Sequence, residues 1–419
     1  MVNDWPLITI GDCFDFKNGL NKEKEFFGHG NPIINYMDVY KNNSIHSDDI
    51  KGKVELSDNE IRRYEVRRGD VFFTRTSETP EEVGLSAVLL DNVENCTFSG
   101  FVLRARPKND WLMPEYCKYC FSTEFVRKSI IEGCTYTTRA LTNGTQLSKI
   151  QIPLPSKCEQ QAIVRVLSDI DNLISTQEAL IAKKQAIKQG AMQKLLTGKR
   201  RLVKFKQGQK FQNTEVGRIP FDWKVLSLKE CCVGSLHYGV NAPAIPYDEK
   251  YPCYVRITDI TDEGKYSNSD RVSVRVGFDS EFILKENDIC LARTGASTGK
   301  SYLYNILDGT MVYAGFLICA SIDSTIANAD YIFNQLHTNR YWSWVKAVSQ
   351  RSGQPGINGR EYGDLLLPMP SLEEQIEIAE VLQDMDRDIV NQQAKLEKLR
   401  RIKSGMMDKL LTGKIRLTD

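Results

Sequence analysis

Between residues 153 and 199 apolar side chains return at alternating spacings of three and four, and they do so again between 367 and 419. In the first stretch Ile163, Val166, Ile170, Leu173, Leu180, Ile187 and Ala191 fall in one row. In the second, Ile378, Val381, Met385, Gln392, Leu399, Ile402 and Met406 follow the same three-and-four row. Leu167, Ile174 and Ile181 widen the first stripe, and Leu382, Ile389 and Leu396 the second. A row of this period is a heptad seam on an α-helix. The pattern predicts two long helices that pair with each other.

The ends of both helices are marked. Ser156 with Glu159, and Ser371 with Glu374, form S-x-x-E capping boxes. Prolines at 153, 155, 368 and 370 keep the entering chain extended. Gly198 and Gly413 stand where a left-handed C-terminal cap belongs. Each helix is then about 40 residues, or roughly 60 Å, long. Gly190 and Gly405 occupy equivalent interior positions. Glycine there costs up to about 1 kcal/mol, which either a close contact offsets or the helix tolerates.

The two stretches are copies of one another. Residues 153–202 align without a gap on residues 368–417, and 26 of the 50 positions are identical. Chance does not produce that, and the 215-residue offset is too long for a solenoid. It implies two half-molecules, each a globular region followed by a long helix. The first helix leaves region one and the second leaves region two, with no sequence for a long return connection. Antiparallel pairing and a pseudo-two-fold internal repeat follow.

The globular regions, 1–152 and 212–366, resemble each other only at anchors, and a basic linker at 200–211 precedes the second. Asp4-Trp5 matches Asp222-Trp223, and GDVFFTRT (69–76) matches NDICLART (287–294). Gly100-Phe101 matches Gly315-Phe316, and Asn143-Gly144 matches Asn358-Gly359. Short β-prone runs between Gly, Asn, Asp and Pro predict mixed α/β regions with considerable strand. The whole is an α+β chain: two mixed α/β domains separated by two long helices in an antiparallel coiled coil. A shared framework with diverged surfaces implies two modules that read different things.

Composition changes little in this picture. The 419 residues exceed one core, and 41% apolar with 26% charged residues is ordinary for a globular chain. MVNDWPLITI shows no secretory signal, and the apolar run from Met311 to Ile322 is too short to cross a bilayer. A cytoplasmic protein with reduced thiols and no membrane association is expected. The eleven cysteines have no framework spacing, and Cys117-x2-Cys120 lacks a second ligand pair for zinc. Net charge is only +1, yet residues 183–210 carry ten Lys or Arg and no acid, while acids dominate 373–388. Distribution outweighs the total where a polyanion is the partner.

No compact catalytic motif is present. GASTGKS, from Gly295 to Ser301, is one residue short of a phosphate loop, with Thr294 where the first glycine belongs. It reads better as a flexible basic loop whose Lys300 can touch a phosphate backbone. Asn31-Pro32 lacks the second proline and aromatic of an amino-methyltransferase motif, and the four histidines have no metal-ligand spacing. Neither a metal nor a cofactor bound by this chain is expected.

The recurring Thr74-Arg75-Thr76 and Ala292-Arg293-Thr294 suit nucleic-acid contact. Arginine can grip guanine O6 and N7 or clamp a phosphate, and hydroxyls such as those of Thr76 and Thr294 can fix register. A salt bridge beneath a strand end is the competing reading. Exposed-loop candidates for DNA binding are Arg139, Arg351 and Gln354 upstream of the helices, and Lys17, Asn18, Lys22, Tyr238 and Asn241 in early loops.

IPLPSKCEQ…LLTGKRRL and LPMPSLEEQ…LLTGKIRL resemble the two repeated helical regions of type I restriction–modification specificity subunits. VGRIPFDWKV resembles that family's entry into its second target-recognition domain. The resemblance implies a non-catalytic DNA-recognition subunit. Each globular domain would read one half of a bipartite asymmetric site, and the helix pair would fix the spacer between the halves. It also implies two methyltransferase subunits as partners, restriction/translocase subunits in the full complex, and S-adenosylmethionine and ATP/Mg on those partners. The first copy departs from the pattern at Thr135-Tyr136-Thr137, where the second has Ser352-Gly353-Gln354. Two other classes stay open on the residues alone: a coiled-coil scaffold presenting two protein-binding modules, and a P-loop NTPase.

Overall fold

A computed structural model describes residues 5–136, 138–206, 210–350 and 354–417. Two helices stand out, α1 (Lys157–Leu195) and α2 (Leu372–Leu411). The chain divides into two compact units, residues 1–179 with 394–419, and residues 180–393. The globular regions and helices are therefore not separate bodies, because each unit contains a length of both helices.

Within each unit the two helix segments run antiparallel. In the first, Asp171 pairs with Lys403 at 2.6 Å and Glu178 with Arg400 at 2.8 Å. In the second, Lys184 pairs with Asp388, and Lys188 with Asp386 at 2.6 Å. Position numbers fall on one helix as they rise on the other. The basic run 183–210 and the acidic run 373–388 are thus complementary. Lys204 continues the pattern, bonding Glu373 at 2.5 Å and Glu377 at 2.7 Å. Lys184, Lys188, Arg201 and Lys204 of the basic run are thus paired with acids.

The buried seam keeps the row that the sequence offers as the widening of its stripe and leaves out part of the first row. Ile163, Leu167, Ile170, Gln177 and Ile181 are buried on α1, and Ile378, Leu382, Ile389 and Leu396 on α2. Val166, Leu399 and Met406 pack half-buried on the first core, and Val381 and Met385 on the second. Leu173, Leu180, Ile187 and Ile402, expected in the seam, face solvent. Both rows share positions 163 and 170. The row that wins passes through Gln177, Lys184 and Lys188, polar residues that an apolar count discards. The two lysines sit there because their carboxylate partners stand opposite. A Cβ added at Gly190 or Gly405 would meet nothing within 4 Å, so no close approach within the described chain explains these glycines.

Both helices are closed by the same device. The Ser156 hydroxyl accepts from the Glu159 amide at 3.3 Å, while the Glu159 carboxylate accepts from the Ser156 amide at 3.0 Å. That carboxylate also accepts from Trp5 Nε1 at 3.1 Å and from Arg416, beyond the end of α2. In the second unit Glu374 takes Arg201 Nε at 2.8 Å and Nη2 at 2.6 Å, with Trp223 Nε1 at 3.2 Å. Arg201 lies just beyond the end of α1. The adjoining glutamines tie helix to globular region: Gln160 accepts from the Met113 amide at 2.8 Å, and Gln375 from the Asn328 amide at 2.9 Å. Gly198 and Gly413 both have φ of +67°, as the cap requires. A Cβ on Gly198 would also stand 2.3 Å from Pro220.

Each unit has a sheet between two cores. In the first, β1 (Phe14–Asn18), β2 (Ser44–Ile45), β3 (Val71–Thr74), β4 (Ser86–Leu89) and β5 (Val102–Pro107) lie in the order β1-β5-β3-β4-β2. In the second, β6 (His237–Tyr238), β7 (Asp288–Ala292), β8 (Ser301–Leu303) and β9 (Leu317–Ser321) lie in the order β6-β9-β7-β8. The central strands β3 and β7 are apolar without alternation because both faces are covered. Val71 and Phe73 face the helix-side core, and Phe72 faces the other. Ile289 and Leu291 divide in the same way from Cys290 and Ala292.

Glu374 and Arg201 are almost wholly buried, at 0% and 6% side-chain exposure. Arg201→Ala leaves a buried carboxylate without its cation and should cost about 3–5 kcal/mol. The half-exposed Lys184 pair should be worth no more than about 1 kcal/mol. Thermal unfolding of Arg201→Ala and Lys184→Ala separates the two; equal losses would refute the difference.

Candidate nucleic-acid interface

The last residue of each central strand leads into an arginine, and the two arginines are held alike. The Arg75 amide donates to Phe101 O at 3.2 Å and its carbonyl accepts from the Thr142 amide at 3.0 Å. The Arg293 amide donates to Phe316 O at 3.1 Å and its carbonyl accepts from the Ile357 amide at 2.9 Å. Each side chain reaches a glycine carbonyl, Gly100 at 3.5 Å and Gly315 at 3.4 Å. Both are half-buried, and neither pairs with a carboxylate through a described contact. Among the described residues the salt-bridge reading of these arginines finds no acidic partner.

The loops upstream of the helices come to these arginines. Thr76 pairs with Leu141 in a small sheet whose hairpin, Thr135–Tyr136 with Ala140–Leu141, carries the exposed Arg139. In the second unit Thr294 bridges Gly356, and Gly295 N donates to Pro355 O at 3.1 Å. That brings the exposed Gln354 beside Gly295. Arg351 lies outside the described residues. The two modules differ where sequence divergence says they should. In the second, Arg293 lies over the Tyr238 ring at 4.8 Å, and the Tyr238 hydroxyl accepts from the Gly359 amide at 2.9 Å. The first has Asn18 at the corresponding strand position, opposite Leu103 as Tyr238 is opposite Ile318. Asn241 is exposed beside Gly315.

In the first unit Lys17, Asn18 and Arg75 line one groove of about 680 Å³ with Lys108, Asn143 and Ser148. The sequence did not single out those last three as site residues. Asn143 was visible only as a repeated anchor, and it caps the short helix Gly144–Ser148. Lys17 bonds Arg63 O at 2.5 Å. Burial, with Arg104, Arg63 and Arg106 close by, holds its ammonium below the ordinary lysine value. This is a locally cationic wall. Asp15 tempers it, pairing with Lys108 at 3.3 Å.

Two candidates are committed elsewhere. Lys22, 16% exposed, bonds Glu60 at 2.9 Å and Glu55 O at 2.8 Å. Lys300 faces Asp262 at 2.7 Å. The loop before Lys300 is not a phosphate cradle. Tyr341 donates to Gly299 O at 2.7 Å, and a Cβ on Gly299 would collide with Val345 and Trp342. It is a turn packed against Tyr341, Trp342 and Val345. All eleven cysteines are free thiols, and burial pushes the Cys13 thiol, beside Cys117, up to about 11. Among the described residues no cluster could hold a metal, and no helix is long and apolar enough to cross a membrane.

The chain is similar to known proteins along most of its length. The family described as type I restriction modification DNA specificity domain matches residues 3–188 and again 221–401. Two relatives come from Methanocaldococcus jannaschii. The type I restriction enzyme MjaVIII specificity subunit is 29% identical over 99% of this chain and 93% of its own length. The putative MjaX specificity subunit is 25% identical over 99% and 94%. In fold, the chain resembles the crystal structure of the type I restriction–modification S subunit from M. genitalium, with a TM-score of 0.55 and 15% identity over 98% of both chains. A structure reported for the assembly and conformational transition of the type I system gives 0.56 at 16% identity, over 98% of both chains.

The Lys22 pair carries a pH signature. The Ser57 amide, the Lys22 ammonium and the Ser57 hydroxyl hold the Glu60 carboxyl down at about 2, against its ordinary 4.5. The unfolded chain binds this proton more readily than the folded one. The stabilisation is complete above pH 4.5 and is lost as pH falls towards 2. Acid unfolding of Glu60→Gln should show a shallower dependence in that window; superimposable curves would overturn the assignment.

Proposed function

The chain belongs to the type I restriction–modification DNA specificity family, and on that premise we propose that its two modules read the two halves of one bipartite, asymmetric site in double-stranded DNA. It is the recognising and not the catalysing member of its system, working with DNA and with the system's other subunits. The observation that carries the reading is the recurrence of one corner. In both modules an arginine leaves the central strand, is held by a Gly-Phe turn, and meets a loop just upstream of a long helix. The residues around that corner differ, Asn18 in one and Tyr238 with Arg293 in the other. A common frame with unlike side chains suits two dissimilar half-sites.

The antiparallel helices act as the spacer rod, and the half-sites lie about one turn of DNA apart, near 34–36 Å. The repeated helical surfaces receive two methyltransferase subunits, with the restriction/translocase subunits joining in the full complex. S-adenosylmethionine and ATP/Mg belong to those partners. The working compartment is the cytoplasm.

Arg75→Ala and Arg293→Ala should each relax base preference in one half-site, by about 1–3 kcal/mol for a bidentate contact. Methylation mapping of each variant reads this; uniform weakening at both halves would assign a phosphate role instead. Removing seven residues from each helix should change the tolerated spacer length and leave both half-site sequences as they were. An unchanged spacer in the same mapping would sink the rod.

A further inference from the structure

Gly100-Phe101 and Gly315-Phe316 head strands β5 and β9, and neither pair has a role in the folding argument above. Their backbone frames coincide bond for bond. In the first unit the Leu20 amide donates to Phe98 O at 2.9 Å, Gly100 N to Leu20 O at 2.8 Å, and Val102 N to Ser99 O at 3.1 Å. In the second, Val240 N donates to Tyr313 O at 2.9 Å, Gly315 N to Val240 O at 2.7 Å, and Leu317 N to Ala314 O at 2.8 Å. The loop opposite must lack a side chain for this fit. A Cβ on Gly19 would stand 2.1 Å from Ser99 O, and one on Gly239 would stand 2.2 Å from Tyr313 O.

The product of each frame is a phenyl ring thrust into water. Phe101 is 64% exposed and Phe316 is 59% exposed, although Val102, Leu103, Leu317 and Ile318 directly after them are buried. A single exposed apolar residue means little. Two, at equivalent places in modules whose other surface residues have diverged, mean that the place itself matters. The amide of the arginine at the corner is bonded to the carbonyl of the same phenylalanine. Cation and ring are therefore anchored on adjoining, hydrogen-bonded backbone.

We infer that Phe101 and Phe316 are specificity-determining residues, each making the apolar contact of its module with bases of its own half-site. The inference rests on the DNA-reading function proposed above. The occupant follows from charge: the ring shares its corner with an arginine, and in the first module that arginine lines the groove that holds Lys17 and Lys108. A polyanion fits there, and its bases offer what a ring can use, either a thymine methyl at a base-pair edge or an unstacked step that admits a wedge.

The test uses the full chain assembled with its methyltransferase partner, on duplexes carrying the site found by methylation mapping, at fixed salt. Phe101→Ala and Phe316→Ala should each weaken specific binding by about 10- to 100-fold and lose discrimination in one half-site, a different one for each variant. Thermal unfolding should match the parent, because the removed rings are exposed. Phe221→Ala removes another exposed ring, on a hairpin away from the corner, and should bind like the parent. Replacing thymine by uracil in the affected half-site should mimic the loss if the ring meets a methyl. A 2-aminopurine at that step should brighten with the parent and not with the variant if the ring is a wedge. Both results support the assignment. Variants that bind as the parent does, or weaken equally on every sequence, would overturn it. A parent complex without sequence preference would instead overturn the DNA-reading function itself.

Discussion

A carboxylate at the first turn of each long helix is the point on which this molecule closes. Glu159 and Glu374 each gather an indole from the globular region and a guanidinium from just past the end of the other helix. Burial alone would raise the Glu159 carboxyl. The Arg416, Ser156 and Trp5 donors outweigh it and hold it below the ordinary range. Such a group is tolerated inside a protein only when every donor is in place. That explains why the repeated sequence is so restricted at its two ends and loose in between. Pro-x-Pro-Ser-x-x-Glu-Gln sets the carboxylate and its glutamine neighbour, and Leu-Leu-Thr-Gly-Lys-x-Arg turns the other helix's tail back to meet them.

The sequence was most readable where structure is local. Capping boxes, proline brackets and terminal glycines depend on residues three to six apart, and all stand where spacing puts them. It was least readable where an answer needs to know who lies opposite. Gln177, Lys184 and Lys188 occupy the helix seam, a choice that only their partners on the second helix make sensible. The basic run 183–210 looked like surface for a polyanion because the acidic run that neutralises it lies nearly two hundred positions away. Lys22 and Lys300 were candidates for the same reason, and each has a carboxylate waiting in the fold.

The reading corners show the reverse case. Arg75 and Arg293 were visible as a repeated tripeptide, and the structure gives them one setting down to individual amide bonds. The side chains around them are not legible as recognition residues, because exposure and direction are properties of the loop and not of the letter. Tyr238 illustrates this, with its ring under Arg293 and its hydroxyl on the Gly359 amide, an arrangement that Asn18 cannot copy. One backbone corner thereby supports two unlike surfaces.

The division of the chain into units has a consequence for biosynthesis. The second unit is continuous, residues 180–393, and all of it is made before the later part of the first unit, from residue 394 on. The first is interrupted, and its core includes Leu410 and Leu411 against residues such as Ile163 and Leu167. The amino-terminal half therefore waits for the segment that carries Leu410 and Leu411, with apolar surface open in the interval. Translation stopped near residue 400 would leave a second unit with all its residues joined to a first that lacks Leu410 and Leu411, a product fit for degradation.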